Sequence, residues 1–156
     1  MKTNNQKLEV RAIENGTVID HLPADSLFKI INILGLDKET NRITFGTNLE
    51  SKRMGTKAII KINGRYCEQE EINRIALVAP MAMVNIIKDF EVIEKRPVTV
   101  PDRIEGIIKC VNPKCVTNCE PVKTVFEVIK GDDNEMALRC HYCEKITHRK
   151  QIEIVK

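Results

Sequence analysis

The sequence predicts an α+β chain in two parts, an α/β sandwich followed by a small all-β domain. Three observations carry that prediction. Residues 1–100 alternate strand-period and helix-period apolar patterns in the order β, α, β, β, α, β. Residues 101–156 carry only short strand-like runs. The second part also holds five of the six cysteines, four of them as two tight pairs, Cys110-x4-Cys115 and Cys140-x2-Cys143.

Each element of the first part has a local reason. Leu8 to Ile13 alternates with period two, as a half-buried strand does, and Gly16 to Asp20 resumes the strand after a turn at Asn15-Gly16. Leu27, Ile30, Ile31 and Leu34 fall on one face of a helix over 24–34, with Pro23 before it and Gly35 after it. Residues 42–46 and 57–62 read as strands, the second ending at Asn63-Gly64. Ile72, Ile75 and Ala76 share a face of a second helix over 69–78, which Pro80 stops. Residues 84–88 and 90–93 are the last strands. Two helices on one face of a mostly antiparallel sheet make a split-βαβ, ferredoxin-like α/β sandwich. Residues 97–102, with Pro97 and Pro101 and no amphipathic period, read as an extended linker. The domains are therefore placed at 1–100 and 101–156. In the second, strands are expected at 107–109, 124–130, 135–139 and 151–155, with a turn over 131–134.

The cysteine spacing predicts a structural zinc site. Each pair ends a short apolar run and begins a turn, so four thiolates on two knuckles can close a tetrahedron around Zn²⁺. Such a site is coordinatively full and leaves no position for catalysis. A disulfide framework fits a secreted chain, and no secretory leader precedes this one, so a reduced, cytoplasmic protein is expected. A redox C-x2-C would open a helix, whereas Glu144-Lys145-Ile146-Thr147 shows no helical pattern. Cys119 has no partner at knuckle spacing and reads as a free thiol. His141 sits inside the C-x2-C turn and should point away from the metal.

Composition excludes several classes. No apolar run approaches the ~18 residues that span a bilayer, so no membrane partner is expected. A net charge of +3 is too mild to imply nucleic acid. Four Phe, two Tyr and no Trp leave little for base stacking. There is no P-loop, no G-x-G-x-x-G, no G-x-S-x-G and no nucleophile–base pair at a recognisable spacing, so the chain is not expected to be an enzyme. A zinc-ribbon nucleic-acid binder stays open as the alternative, because Lys109, Lys114, Arg139, Arg149 and Lys150 lie near the knuckles.

Taken together, Gly16-Thr17-Val18-Ile19-Asp20-His21, Arg42-Ile43-Thr44, Met54-Gly55, Lys61-Ile62, Ala79-Pro80, Val84-Asn85, Glu91-Val92, the four cysteines, Glu120-Pro121 and Tyr142 resemble the regulatory chain of aspartate carbamoyltransferase from about residue 7 to the end. The resemblance implies a non-catalytic subunit of pyrimidine biosynthesis. Its N-terminal domain would bind allosteric nucleotide effectors (CTP, UTP or ATP) and pair as a homodimer. Its zinc domain would dock on the catalytic chain. By the same resemblance the effector positions are Lys7, Ala12, Ile13, Val18, Asp20, His21, Lys61, Asn85, Ile87, Phe90, Val92 and Lys95. Phe90 stands where the family carries a tyrosine, which removes a hydroxyl. Lys61 and Lys95 end strand-like runs with no carboxylate expected beside them, which suits a triphosphate. Without the resemblance, two solvated lysines is the simpler account. Asp20 and His21 would serve ribose hydroxyls, or else form a plain turn or a helix cap. Strand backbone between Val10 and Ile13 would read a base edge.

Overall fold

The computed structural model describes residues 12–130 and 135–155. Most of the strand expected over 8–13, the site residue Lys7 and the turn expected over 131–134 lie outside them. The chain divides into two compact units, residues 1–99 and 100–156.

The first unit holds β1 (Gly16–Leu22), α1 (Leu27–Ile33), β2 (Ile43–Ser51), β3 (Gly55–Asn63), α2 (Gln69–Ile75), β4 (Met83–Lys88) and β5 (Glu91–Pro97). The sheet order is β2-β3-β1-β4-β5, and every pairing is antiparallel. Four of these strands, β4-β1-β3-β2, interleave two split βαβ units. β5 extends the sheet beyond them as a hairpin partner of β4.

Period-two alternation decides which side of the sheet is covered. Ile19 is paired with Ile60 and Val84, and Thr17 with Ile62 and Ile86. These side chains are buried on the helix-bearing side with Leu27, Ile30, Ile72 and Ile75. Each fully buried Ile or Leu there contributes about 1.5–3 kcal/mol of transfer free energy. The one polar member, Thr17, is satisfied: its hydroxyl donates to the Arg65 carbonyl at 2.7 Å and accepts from the Cys67 N–H at 3.1 Å.

Both helices are shorter than their apolar patterns. Residues 24–26 form a 3₁₀ turn before α1, and Gly35 stops the helix at φ 64°, a left-handed conformation cheap only for glycine. α2 begins with a reciprocal capping box between Glu68 and Glu71. It ends at Ile75 because Pro80 cannot continue it. The Leu77, Val78 and Ala79 N–H groups tighten onto the carbonyls of Arg74 and Ile75.

Gly16 marks a close approach. Its φ is 141°, and a Cβ there would lie 2.0 Å from the Ile62 carbonyl oxygen. Gly16→Ala should destabilise the first unit by about 3 kcal/mol or more, from the strained φ together with the clash. A urea midpoint equal to that of the parent would contradict this.

The second unit holds β6 (Arg103–Glu105), α3 (Val116–Cys119), β7 (Val125–Lys130), β8 (Met136–Cys140) and β9 (Ile146–His148), with sheet order β6-β7-β8-β9. The strands expected at 107–109 and 151–155 are corrected. The two segments meet only through the Ile108–Ile154 bridge, with Lys109 N–H donating to Glu153 at 2.9 Å and Val155 N–H to Ile107 at 2.8 Å. A 3₁₀ turn at Arg149–Gln151 interrupts the run, closed by Gln151, whose side chain accepts from the His148 N–H.

Candidate functional site

Among the described residues, two places gather side chains suited to chemistry, one in each unit. In the second, the sulfurs of Cys110, Cys115, Cys140 and Cys143 all lie within 4.8 Å of one another. The Cys110–Cys143 pair is 3.6 Å apart and the Cys115–Cys140 pair 3.7 Å. A disulfide needs about 2.05 Å. A zinc tetrahedron with Zn–S near 2.3 Å has edges of roughly 3.8 Å, which these separations match.

Hydrogen bonds hold each sulfur in place. The Asn112 N–H reaches Cys110, and the Tyr142 and Cys143 N–H groups reach Cys140. The Lys145 N–H and the Asn112 side chain reach Cys143, and the Thr117 hydroxyl donates to Cys115 at 3.2 Å. Such outer partners fix thiolate orientation. Asn118 braces the first knuckle by donating to the carbonyls of Cys110 and Asn112 at 3.0 and 2.8 Å. Glu144, at φ 61°, turns the chain so that its N–H meets the Cys140 carbonyl at 2.9 Å.

The donor set calls for a cation. Burial pushes the Cys110 thiol up to about 12 and raises Cys140 as well. At Cys143 burial also acts upward, but the Lys145 N–H, Asn112 and the neighbouring thiols outweigh it and bring that group down to about 7. Four packed sulfurs ionise together only with a divalent cation among them. The set fits one structural zinc, which would supply folding free energy and no open coordination position. Cys119 is exposed and outside the cluster, its Sγ 3.8 Å from the Pro113 carbonyl. His141 stacks edge-on against Tyr142 at 5.2 Å. Cys67 is buried in the first unit, and burial pushes its thiol up to about 11. With zinc bound, a thiol reagent should therefore label Cys119 fast, the four ligands only after chelation, and Cys67 only on unfolding. Five fast thiols in the untreated protein would contradict the site.

In the first unit, cross-strand register lines up four side chains on the helix-free face: Lys61 opposite Val18, Val18 opposite Asn85, and Asn85 opposite Lys95. The row crosses β3, β1, β4 and β5. Asp20 lies two residues along β1 on the same face. Ile87 lies two residues along β4 and pairs with Val92. A bulge beside Ile86 keeps Val92 and Lys95 on one side although they stand three positions apart. Ile13, Val18 and Ile87 form a buried apolar cluster with Ile59 packed on it, so the polar row stands beside an apolar floor. The structure thus brings Ile13, Val18, Asp20, Lys61, Asn85, Ile87, Val92 and Lys95 onto one face. Ala12 is exposed just before Ile13. Phe90, at φ 67° and 64% exposed, occupies the β4–β5 turn.

Two polar atoms here are buried with no partner among the described residues, His21 Nδ1 and Asn85 Oδ1. His21 sits at φ 59° in a bulge of β1. Its N–H donates to Asp20 Oδ1 at 2.6 Å, so Asp20 caps its own neighbour and not the following helix.

The expectation of no carboxylate beside Lys61 is corrected. Asp20 shares the face with Lys61 and pulls its pKa upward, while burial, the larger effect, lowers it. Lys57, absent from the sequence-derived site, bonds Asp20 Oδ1 at 2.9 Å and stands four residues from Lys61 on the same side of β3. The even spacing of Lys57 and Lys61 was a readable signal. It became decisive only once the strand's exposed face was known.

Two of the five basic residues near the knuckles, and Arg103 in β6, are opposed by carboxylates. Arg139 pairs with Glu127 at 3.6 Å, Arg149 with Glu135 at 3.9 Å and Arg103 with Glu105 at 3.0 Å.

Fold and site together define a two-unit chain whose smaller part is stapled by structural zinc. Residues 8–99 match the family model described as the aspartate carbamoyltransferase regulatory chain, allosteric domain, and residues 102–153 that of its metal binding domain. The regulatory chain of Bacteroides fragilis is 50% identical over 155 residues, covering 99% of this chain and 100% of that protein. That of Pyrococcus horikoshii is 49% identical over 148 residues, covering 94% of this chain and 96% of the relative. The chain belongs to the aspartate carbamoyltransferase regulatory chain family. Its role is regulatory and non-catalytic, in an enzyme of pyrimidine biosynthesis. The alternative of a zinc-ribbon nucleic-acid binder is not favoured. Among the described residues no helix is long and apolar enough to cross a membrane.

Proposed function

We propose that the first unit is an effector domain that binds a nucleoside triphosphate (CTP, UTP or ATP) on its helix-free face, and that the zinc unit docks on the catalytic chain in the cytoplasm. The observation that carries the effector reading is the row Lys61–Val18–Asn85–Lys95 beside an apolar floor. Lys61, Lys95 and Lys57 meet the phosphates. Asp20 and His21 meet the ribose hydroxyls, and the orphaned Nδ1 of His21 and Oδ1 of Asn85 wait for partners. The apolar side chains Ile13, Val18, Ile87 and Val92 pack against the base, which backbone groups near Ala12 and Ile13 read. Phe90 adds ring surface and no hydroxyl. Lys7 belongs to the same proposed site.

A homodimer through the first unit has support in its sheet edges. β2 is a nine-residue edge strand with Glu50 as its one charged residue, and its exposed Phe45 packs edge-on against exposed Phe28 at 6.3 Å. β5, the other edge, carries Glu91, Glu94, Lys95, Arg96 and Pro97, features that discourage pairing. Docking of the second unit has support in exposed Val111, Val116 and Tyr142 beside the knuckles.

Calorimetric titration with CTP, ATP and the uncharged nucleoside cytidine tests the effector reading. The triphosphates should bind at least ~100-fold more tightly than cytidine, since two or more charge-assisted contacts depend on phosphate. Equal affinities would remove the lysine row from the site.

A further inference from the structure

Among the described residues β5 pairs with β4 alone, and every residue from Glu91 to Lys95 is exposed. Its ladder breaks at the bulge beside Ile86. One end is tied down by a clasp. Asp89 and Phe90, at φ 52° and 67°, form the turn into β5, a conformation that favours Gly or Asn at both positions. The Asp89 N–H donates to Asn15 Oδ1 at 3.2 Å and the Phe90 N–H to the Glu14 carbonyl at 2.9 Å. The Asn15 carbonyl accepts from the Gly64 N–H at 2.8 Å. Residues 14 and 15 therefore hold the end of β3 and the tip of β4–β5 together. At its other end β5 runs through Pro97 into the segment that leads to the second unit. Between the two ends stands Lys95, in register with Asn85 and, through Val18, with Lys61.

We infer that β5 is the output strand of the effector site and that Asn15 is its positioning residue, an inference that rests on the proposal that the Lys61–Lys95 row holds the effector. A polyanion bridging Lys61 and Lys95 ties β5 to β3 across two intervening strands. β5 has little burial and a single strand partner among the described residues, so it opens at low cost and responds most to such a tie. A change in its order or twist passes along the backbone to Pro97 without crossing another element. The clasp at Asn15 sets the position from which β5 moves.

The test is amide hydrogen exchange on the chain assembled with its catalytic chain, with and without CTP or ATP at about 100 Kd. Exchange in 90–97 should slow about tenfold or more, and β7 should change little. Asn15→Ala should cut the nucleotide-induced change in catalytic activity by about threefold or more, with nucleotide Kd moved less than about twofold on the same scale. Asn15→Asp, which keeps the acceptor, should restore it. Tight nucleotide binding with unchanged exchange in 90–97 would overturn the inference, and the exchange measurement on the parent protein decides this even if Asn15→Ala does not fold. An absence of nucleotide binding by calorimetry would overturn the site proposal first and this inference with it.

Discussion

Cys115→Ser should strip the metal and unfold the second unit while the first unit stays folded. The unit is small, and its apolar core is Ile104, Ile108, Phe126, Leu138 and a few neighbours. Two of the ligands, Cys110 and Cys140, end or follow strand-like runs, while Cys115 stands at the residue just before α3. Metal binding at such a site is worth about 10–16 kcal/mol of folding free energy in isolated fingers, more than a unit of this size stores otherwise. A serine cannot replace the thiolate, and three sulfurs leave an open, water-accessible site. Metal analysis should fall from about one zinc per chain to near none. Co-elution with the catalytic chain should be lost on size exclusion, and a chelator should do the same to the parent protein. Zinc retained in Cys115→Ser but lost in Cys119→Ser would reassign the ligand set.

Lys61→Met carries the second largest expected effect. The side chain is 7% exposed, and burial lowers its pKa from the ordinary 10.5 while Asp20 partly offsets the shift. A charged hydrogen bond to phosphate is worth about 1.5–3 kcal/mol, so affinity for CTP or ATP should fall roughly 10- to 100-fold. The stability effect has the opposite sign. A lysine whose folded pKa lies below its unfolded one binds its proton less tightly in the native state. It opposes folding at neutral pH, and that penalty is relieved as pH rises from the folded pKa towards 10.5. Lys61→Met should therefore melt no lower than the parent near pH 7. In the parent, nucleotide affinity should weaken as pH climbs through the lowered pKa, because the neutral amine no longer attracts phosphate. That alkaline decline should be blunted in Lys61→Met. A variant that melts much lower and binds nucleotide unchanged would make Lys61 a structural residue.

The helix faces and the metal centre could be read from residues alone because each is a local pattern. Leu27, Ile30 and Leu34 recur at helical spacing, and Cys110-x4-Cys115 with Cys140-x2-Cys143 encodes two knuckles in the spacing itself. Helix ends were less legible: α2 stops three residues before its apolar pattern does, because Pro80 and 3₁₀-type bonds override the periodicity. β6 and β9 were missed because three residues with one buried side chain each, Ile104 and Thr147, leave no period to detect. The proposed effector face was legible only as a resemblance. Lys61, Val18, Asn85 and Lys95 come from four strands, and their common row is a property of register, which turns and bulges set. The same dependence hid Lys57, whose partner Asp20 lies on a different strand. His21 could not be placed, because its left-handed conformation follows from the bulge after Ile19.

The central claim is that this chain confers nucleotide control on a separate catalytic chain through a zinc-held unit. Its most direct test is the aspartate carbamoyltransferase activity of the catalytic chain alone and after reconstitution with this chain, each with and without CTP and ATP. The catalytic chain alone should be active and indifferent to both nucleotides. Reconstitution with the zinc-loaded chain should make activity respond to them, and reconstitution with the chelated chain should not. A catalytic chain that responds equally without its partner, or one that stays indifferent once the zinc-loaded chain is bound, would contradict the account.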